Sequence, residues 1–166
     1  IYSSLYKYQI VNMRKVILND VEAISISPKA NVNFILIETT NIEMNLDGCK
    51  LIDMARVIKL RSTSQNLLYS GLNMKLVVSN VEFIQSLIFP NHRGIDIQFG
   101  THKHIFLKCS IVLLNSVFLN HSADNGGAVF IITGFYVGYK NSKMNLIIQN
   151  VSFVNNFCTS NGGSIY

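Results

Sequence analysis

The sequence predicts an all-β fold: a right-handed parallel β-helix of about five coils. Three observations predict it. An apolar run ending in Asn and then Phe recurs, with Asn80, Asn115 and Asn150 spaced 35 residues apart and Phe83, Phe118 and Phe153 spaced the same way. A glycine pair follows the later copies, at Gly126-Gly127 and Gly162-Gly163. The stretches between these anchors are short and rich in β-branched residues, which favours strands over helices.

Each motif element has a physical job in such a coil. A tight corner between two strands needs a residue that tolerates positive φ, and Asn and Gly do so at little cost. Asparagines at the same place in successive coils can hydrogen-bond along the stack, so Asn80, Asn115 and Asn150 are expected to form a ladder, with Asn150 buried in it. Phe83, Phe118 and Phe153 are expected to stack like on like inside. The glycine pairs open a strand where the backbone bends and Cβ atoms would clash, and Ala128 or Ser164 then enters the core. In the third-last copy Gly94-Ile95-Asp96-Ile97 reads as a degenerate version of the same element.

A 35-residue period leaves no room for three strands and a crossover helix. Three short strands wrapped around a coil return the chain to the same place, one coil stacked about 4.8 Å from the next. A leucine-rich repeat has a shorter period and no place for Gly-Gly. An antiparallel sandwich would explain strands and turns but not a fixed motif order.

The whole chain, 1–166, reads as one domain and as a piece of a longer chain whose remainder continues the solenoid. Residues 75–166 carry clear repeats and 1–74 degenerate ones. Leu46-Asp-Gly48-Cys49-Lys-Leu51 resembles the anchor segment with Leu51 at the Phe position, and Val16-Ile-Leu-Asn-Asp20-Val-Glu-Ala23 reads as an earlier copy. The stretch 50–60 also fits a helical stripe of Leu51, Met54, Ala55 and Ile58. Strands are preferred there because no helix-start signal precedes it.

Composition narrows the function classes. Hydrophobic residues are 49% of the chain and charged ones 14%, the reverse of a disordered segment. No apolar stretch reaches the length of a membrane helix, so no transmembrane segment is expected. The formal charge of +5 is scattered, with Lys59 and Arg61 on one strand face as its densest point. A nucleic-acid partner is not expected, because it wants a concentrated basic stripe. Cys49, Cys109 and Cys158 are too few and too far apart for a disulfide framework and read as small buried hydrophobes.

The Gly-Gly and Phe motifs resemble the repeats of the chlamydial polymorphic outer membrane proteins, Gly-Gly-Ala-(Ile/Leu/Val) and Phe-x-x-Asn, within the broad pectin-lyase-like group. Gly126-Gly127-Ala128-Val129 and Phe153-Val-Asn-Asn156 match fully, and Gly162-Gly163-Ser164-Ile165 has Ser for Ala. Phe118-Leu-Asn-His121 has its Asn one place early, and Phe83-Ile-Gln-Ser86 has lost it. The resemblance covers about residues 75–166. It implies an extracellular or cell-surface module, often adhesive, with protein or glycan surface partners.

No catalytic constellation, cofactor site or metal site stands out, so the chain reads as a non-enzyme. Polysaccharide hydrolases on this fold use clustered aspartates, and here no two acidic residues are adjacent. Stacking brings Asp96 near Asp124, both read as turn acids facing water. His102-x-His104 offers two ligands, too few for zinc, and His92 and His121 stand isolated. Asn120-His-Ser122 and Asn150-Val-Ser152 are glycosylation sequons, with Asn120 the better acceptor. Two loops protrude between strands, 61–73 and 135–143. Tyr136, Tyr139 and Lys140 in the second are candidate ligand contacts, which keeps a polysaccharide-binding or polysaccharide-processing β-helix as the alternative reading.

Overall fold

The computed structural model describes residues 15–25, 33–38, 41–54, 56–62, 72–86, 92–99, 107–133 and 143–166. Among these, every regular element is a β-strand. Five copies of a strand set follow one another. The first is β1 (Lys15–Asn19), β2 (Glu22–Ile24) and β3 (Asn33–Glu38). The second is β4 (Asn41–Asp47), β5 (Lys50–Ile52) and β6 (Arg56–Ser62). The third is β7 (Leu72–Ser79), β8 (Glu82–Ile84) and β9 (Arg93–Phe99). The fourth is β10 (Leu107–Leu114), β11 (Val117–Leu119), β12 (Ser122–Asn125) and β13 (Val129–Thr133). The fifth is β14 (Lys143–Gln149), β15 (Ser152–Val154) and β16 (Phe157–Asn161). Within 50–60, Lys50–Ile52 and the start of Arg56–Ser62 are strands, which leaves no described run for the helical alternative.

Equivalent strands of successive copies pair in parallel. One sheet runs β1-β4-β7-β10-β14, a second β2-β5-β8-β11-β15, a third β3-β6-β9-β13, and β12 pairs with β16. Each named strand pair is parallel. The reason lies in the side-chain rows. In the first sheet Val16, Met44, Leu76, Ile111 and Leu146 stand in one register column, and Leu18, Leu46, Val78, Leu113 and Ile148 in the next. Met44, Leu46, Leu76, Val78, Ile111 and Leu113 are all fully buried. A one-residue slip would turn these columns outward, so burial locks the register.

The three-residue strands of the second sheet have room for a single inward residue each. That row is Ala23, Leu51, Phe83, Phe118 and Phe153. From the third sheet Ile58, Ile95 and Val129 add a further buried column. Together these rows form one apolar core running along the stack. No described helix is long and apolar enough to cross a membrane.

Candidate functional site

The corner between the first and second sheets is built on positive φ. Asp20, Gly48, Asn80, Asn115 and Asn150 have φ of 52°, 62°, 54°, 47° and 53°. Each corner is tied to the next copy by its own amide: Asp20 N–H donates to Asp47 O, Gly48 N–H to Ser79 O, Asn80 N–H to Leu114 O and Asn115 N–H to Gln149 O, at 3.0 to 3.1 Å. The side-chain amide of Asn150 donates to Asn115 Oδ1 at 3.2 Å, and that of Asn80 to Asp47 Oδ1 at 2.8 Å. Ser79 Oγ also donates to the Asp47 carboxylate, at 2.6 Å. These two donors, Ser79 first, hold the Asp47 carboxyl below its ordinary range. Asn80, Asn115 and Asn150 are exposed. That corrects the expectation that Asn150 is buried: the left-handed corner turns its side chain out while the backbone makes the ties.

A second corner, unread in the sequence, follows the three-residue strands. Asp53, Asn120 and Asn155 have φ of 57°, 61° and 51°. Asn120, singled out above as a glycosylation acceptor, belongs to this corner. It is half-buried, and its Nδ2 donates to Gln85 O at 2.8 Å.

The phenylalanine column is a ring stack. Phe118 lies 4.5 Å from Phe83 with ring planes 5° apart, and 5.2 Å from Phe153 with planes 10° apart. The glycine motif packs backbone on backbone. Gly127 N–H donates to Gly163 O at 2.7 Å, and a Cβ at Gly127 would lie 2.6 Å from Phe157 O. Gly126, Gly162 and Gly163 have positive φ, and Ala128 is fully buried beside them. Gly94 stands opposite Ala128 rather than opposite a motif glycine, and the amides of Gly94 and Ile95 both donate to Ala128 O.

Asp96 is not a turn acid facing water. It lies within β9, fully buried, with Oδ2 at 3.2 Å from Arg56 Nε and 3.6 Å from Arg93 Nη1. The Arg56 contact is an ion pair rather than an aligned hydrogen bond. Gln98 Nε2 donates to Asp96 Oδ1 at 2.8 Å. The Arg93 guanidinium sits 4.3 Å above the Phe130 ring, which stacks on Tyr166 at 5.5 Å. Burial lowers the Arg93 pKa, opposed by the Asp96 charge. Asp124 is exposed and accepts from Thr159 Oγ1. The two aspartates thus sit in different surroundings, one buried against two arginines and the other exposed.

His92 and His121, isolated in sequence, come together. Both are buried. His121 Nδ1 lies 3.1 Å from His92 O and Nε2 lies 3.2 Å from Phe83 O. His92 Nδ1 is 3.3 Å from Gln85 Oε1, and Gln85 Nε2 donates to Met54 O. A polar column therefore runs through three copies inside the apolar stack. Burial lowers the pKa of both imidazoles, that of His121 to about 4.

Cys49 and Cys109 are buried, Cys158 is half-buried, and all three are free thiols. Tyr136, Tyr139, Lys140 and the His102-x-His104 pair lie outside the described residues. Of the 61–73 loop, residues 61–62 and 72–73 belong to β6 and β7, and the rest lies outside too. Among the described residues no group of three or more His, Cys, Asp or Glu side chains is placed to hold a metal ion. In comparisons with known proteins, no family model, no curated protein and no solved structure matches the chain.

Proposed function

We propose that the chain is a non-catalytic right-handed parallel β-helix module, extracellular or displayed at a cell surface, with a structural and adhesive role. Parallel pairing of strands joined by crossover connections favours the right-handed course, since such connections are right-handed in nearly all sheets. The Asn, Phe and Gly-Gly motifs are engaged in stacking one copy on the next, which leaves the outer faces to carry function.

One observation carries the adhesive reading. On the outer side of the second sheet, Ile24, Ile52, Ile84, Leu119 and Val154 stand in a single register column. Ile24 is 56% and Val154 42% exposed, and the three between are half-buried. Five aliphatic side chains in line at strand spacing make a ridge about 19 Å long. A continuous row of large aliphatics on an outer face, partly open to water along its length, marks a contact surface. Beside it runs a charged row, with Lys50 3.7 Å from Glu82.

The test is retention of protein-coated beads on cell surfaces, comparing the full chain with a Leu119→Lys, Ile84→Lys variant. The reading expects the variant to keep its circular dichroism spectrum and lose most of its retention. Equal retention would remove the ridge from the account. A sugar-specific signal on a glycan array, abolished by Tyr136→Ala with Tyr139→Ala, would move the reading to polysaccharide binding.

A further inference from the structure

His121 stands where the fifth copy has Asn156 and the third has Ser86. In the fifth copy Asn156 Nδ2 donates to Phe118 O at 2.9 Å, and in the fourth His121 Nε2 meets Phe83 O at 3.2 Å, each partner 38 residues earlier. The amide of Asn156 has one carbonyl to satisfy and uses its oxygen to accept from His121 N–H, at 2.9 Å. The imidazole of His121 has two carbonyls, Phe83 O and His92 O, one at each ring nitrogen. A neutral imidazole has a single N–H, so one carbonyl is left facing a lone pair. An imidazolium would donate to both, but it would place a charge in a fully buried site.

Among the described residues no counter-ion faces that charge. From the third copy the site is faced by Phe83 O, Gln85 and His92. From its own copy it meets the edge of the Phe118 ring, with centroids 6.1 Å apart. From the fifth copy it meets Asn156. The charged groups act one step further out, on His92: Arg56 disfavours its protonation and Asp53 favours it. Arg93, Asp96 and Asp124 are engaged with one another around Arg93.

We propose that His121 with His92 forms a proton-sensitive latch, in which mildly acidic pH loosens the seam between the third and fourth copies. Burial excludes the proton while the seam is closed. When the seam opens, water solvates the imidazole and it titrates near its ordinary value of about 6.5. Acid therefore favours the open form, and stability falls as pH falls below about 6.5. The hydrogen bonds at stake are those of Gln85 N–H to Leu119 O and His92 N–H to Ser122 O.

The experiment is amide hydrogen exchange on the full chain at pH 7 and pH 5, read as protection of Gln85 and His92, for the natural sequence and for His121→Asn. The Asn variant reproduces the side chain that the fifth copy uses and cannot titrate. Protection in the natural sequence is expected to fall roughly tenfold or more between the two pH values. The variant is expected to lose more than half of that fall on a logarithmic scale. A variant that keeps more than half of it overturns the proposal. Should the variant fail to fold, the ring carbon signal of His121 in the natural protein decides: titration well below pH 6 supports the latch, and titration at 6.5 in the folded protein overturns it.

Discussion

The ring of Phe118 lies face to face with that of Phe83, 4.5 Å between centroids and 5° between planes, although the two are 35 residues apart in the chain. Phe118 is fully buried and has a second ring, Phe153, on its other side. Phe118→Ala removes the middle ring and leaves a cavity that its neighbours cannot fill from a fixed backbone. The expected loss is about 3–5 kcal/mol of unfolding free energy, measured by urea denaturation. Phe118→Leu should cost clearly less, because Leu51 shows that the column accepts a leucine at this position.

Asp96 neutralises two arginines in a buried site. Asp96→Asn keeps the shape and removes the charge, leaving Arg56 and Arg93 beside each other without their shared carboxylate. Breaking a buried ion pair by removing one partner costs about 3–5 kcal/mol, and thermal unfolding of the variant should show it.

Gly127 is needed for close approach, not for an unusual φ. A methyl group there would meet two backbone oxygens, Phe157 O at 2.6 Å and Gly163 O at 2.8 Å, and neither can swing aside. Gly127→Ala should destabilise by about 1–3 kcal/mol through overpacking. At Gly163 a methyl group meets nothing within 4 Å, and only its φ of +35° opposes a side chain. Gly163→Ala should therefore cost less in the same denaturation experiment.

The cysteines should separate by reactivity. Burial pushes the Cys109 thiol up to about 12, so almost none is thiolate at pH 8. Cys158 is the one of the three with partial access to water. Iodoacetamide at pH 8 should alkylate Cys158 well before Cys109, with mass spectrometry of the peptides as the readout. Labelling of Cys109 at the rate of Cys158 would show that β10 does not bury it.

The sequence made the later copies legible because their spacing is constant. Asn115 and Asn150, or Phe118 and Phe153, can be aligned by eye. The earlier copies drift: Ala23 pairs with Leu51 after 28 residues and Leu51 with Phe83 after 32. What persists there is the inward direction of a side chain, which Ala, Leu and Phe all satisfy. The Asp96 cluster was hidden for a related reason. Leu51 precedes Arg56 by five residues, but Phe83 precedes Arg93 by ten. The chain spends more residues between them in the third copy, so no single sequence period aligns Arg56, Arg93 and Asp96. His121 was hidden by its replacement of the motif asparagine, and its partner His92 sits at the end of that same longer stretch. The second positive-φ corner falls at Asp53, Asn120 and Asn155, whose change of residue type and uneven spacing form no single asparagine column.

Equivalent strands of successive copies lie side by side, parallel and in register. Proton–proton distances by nuclear Overhauser spectroscopy measure that arrangement. Contacts are expected from the Phe118 ring to both the Phe83 and Phe153 rings, and from the Hα of one strand to the amide protons of its parallel neighbour between β11 and β15. Strong Hα–Hα contacts of antiparallel pairs between these strands, or a Phe118 ring that meets neither phenylalanine, would contradict it.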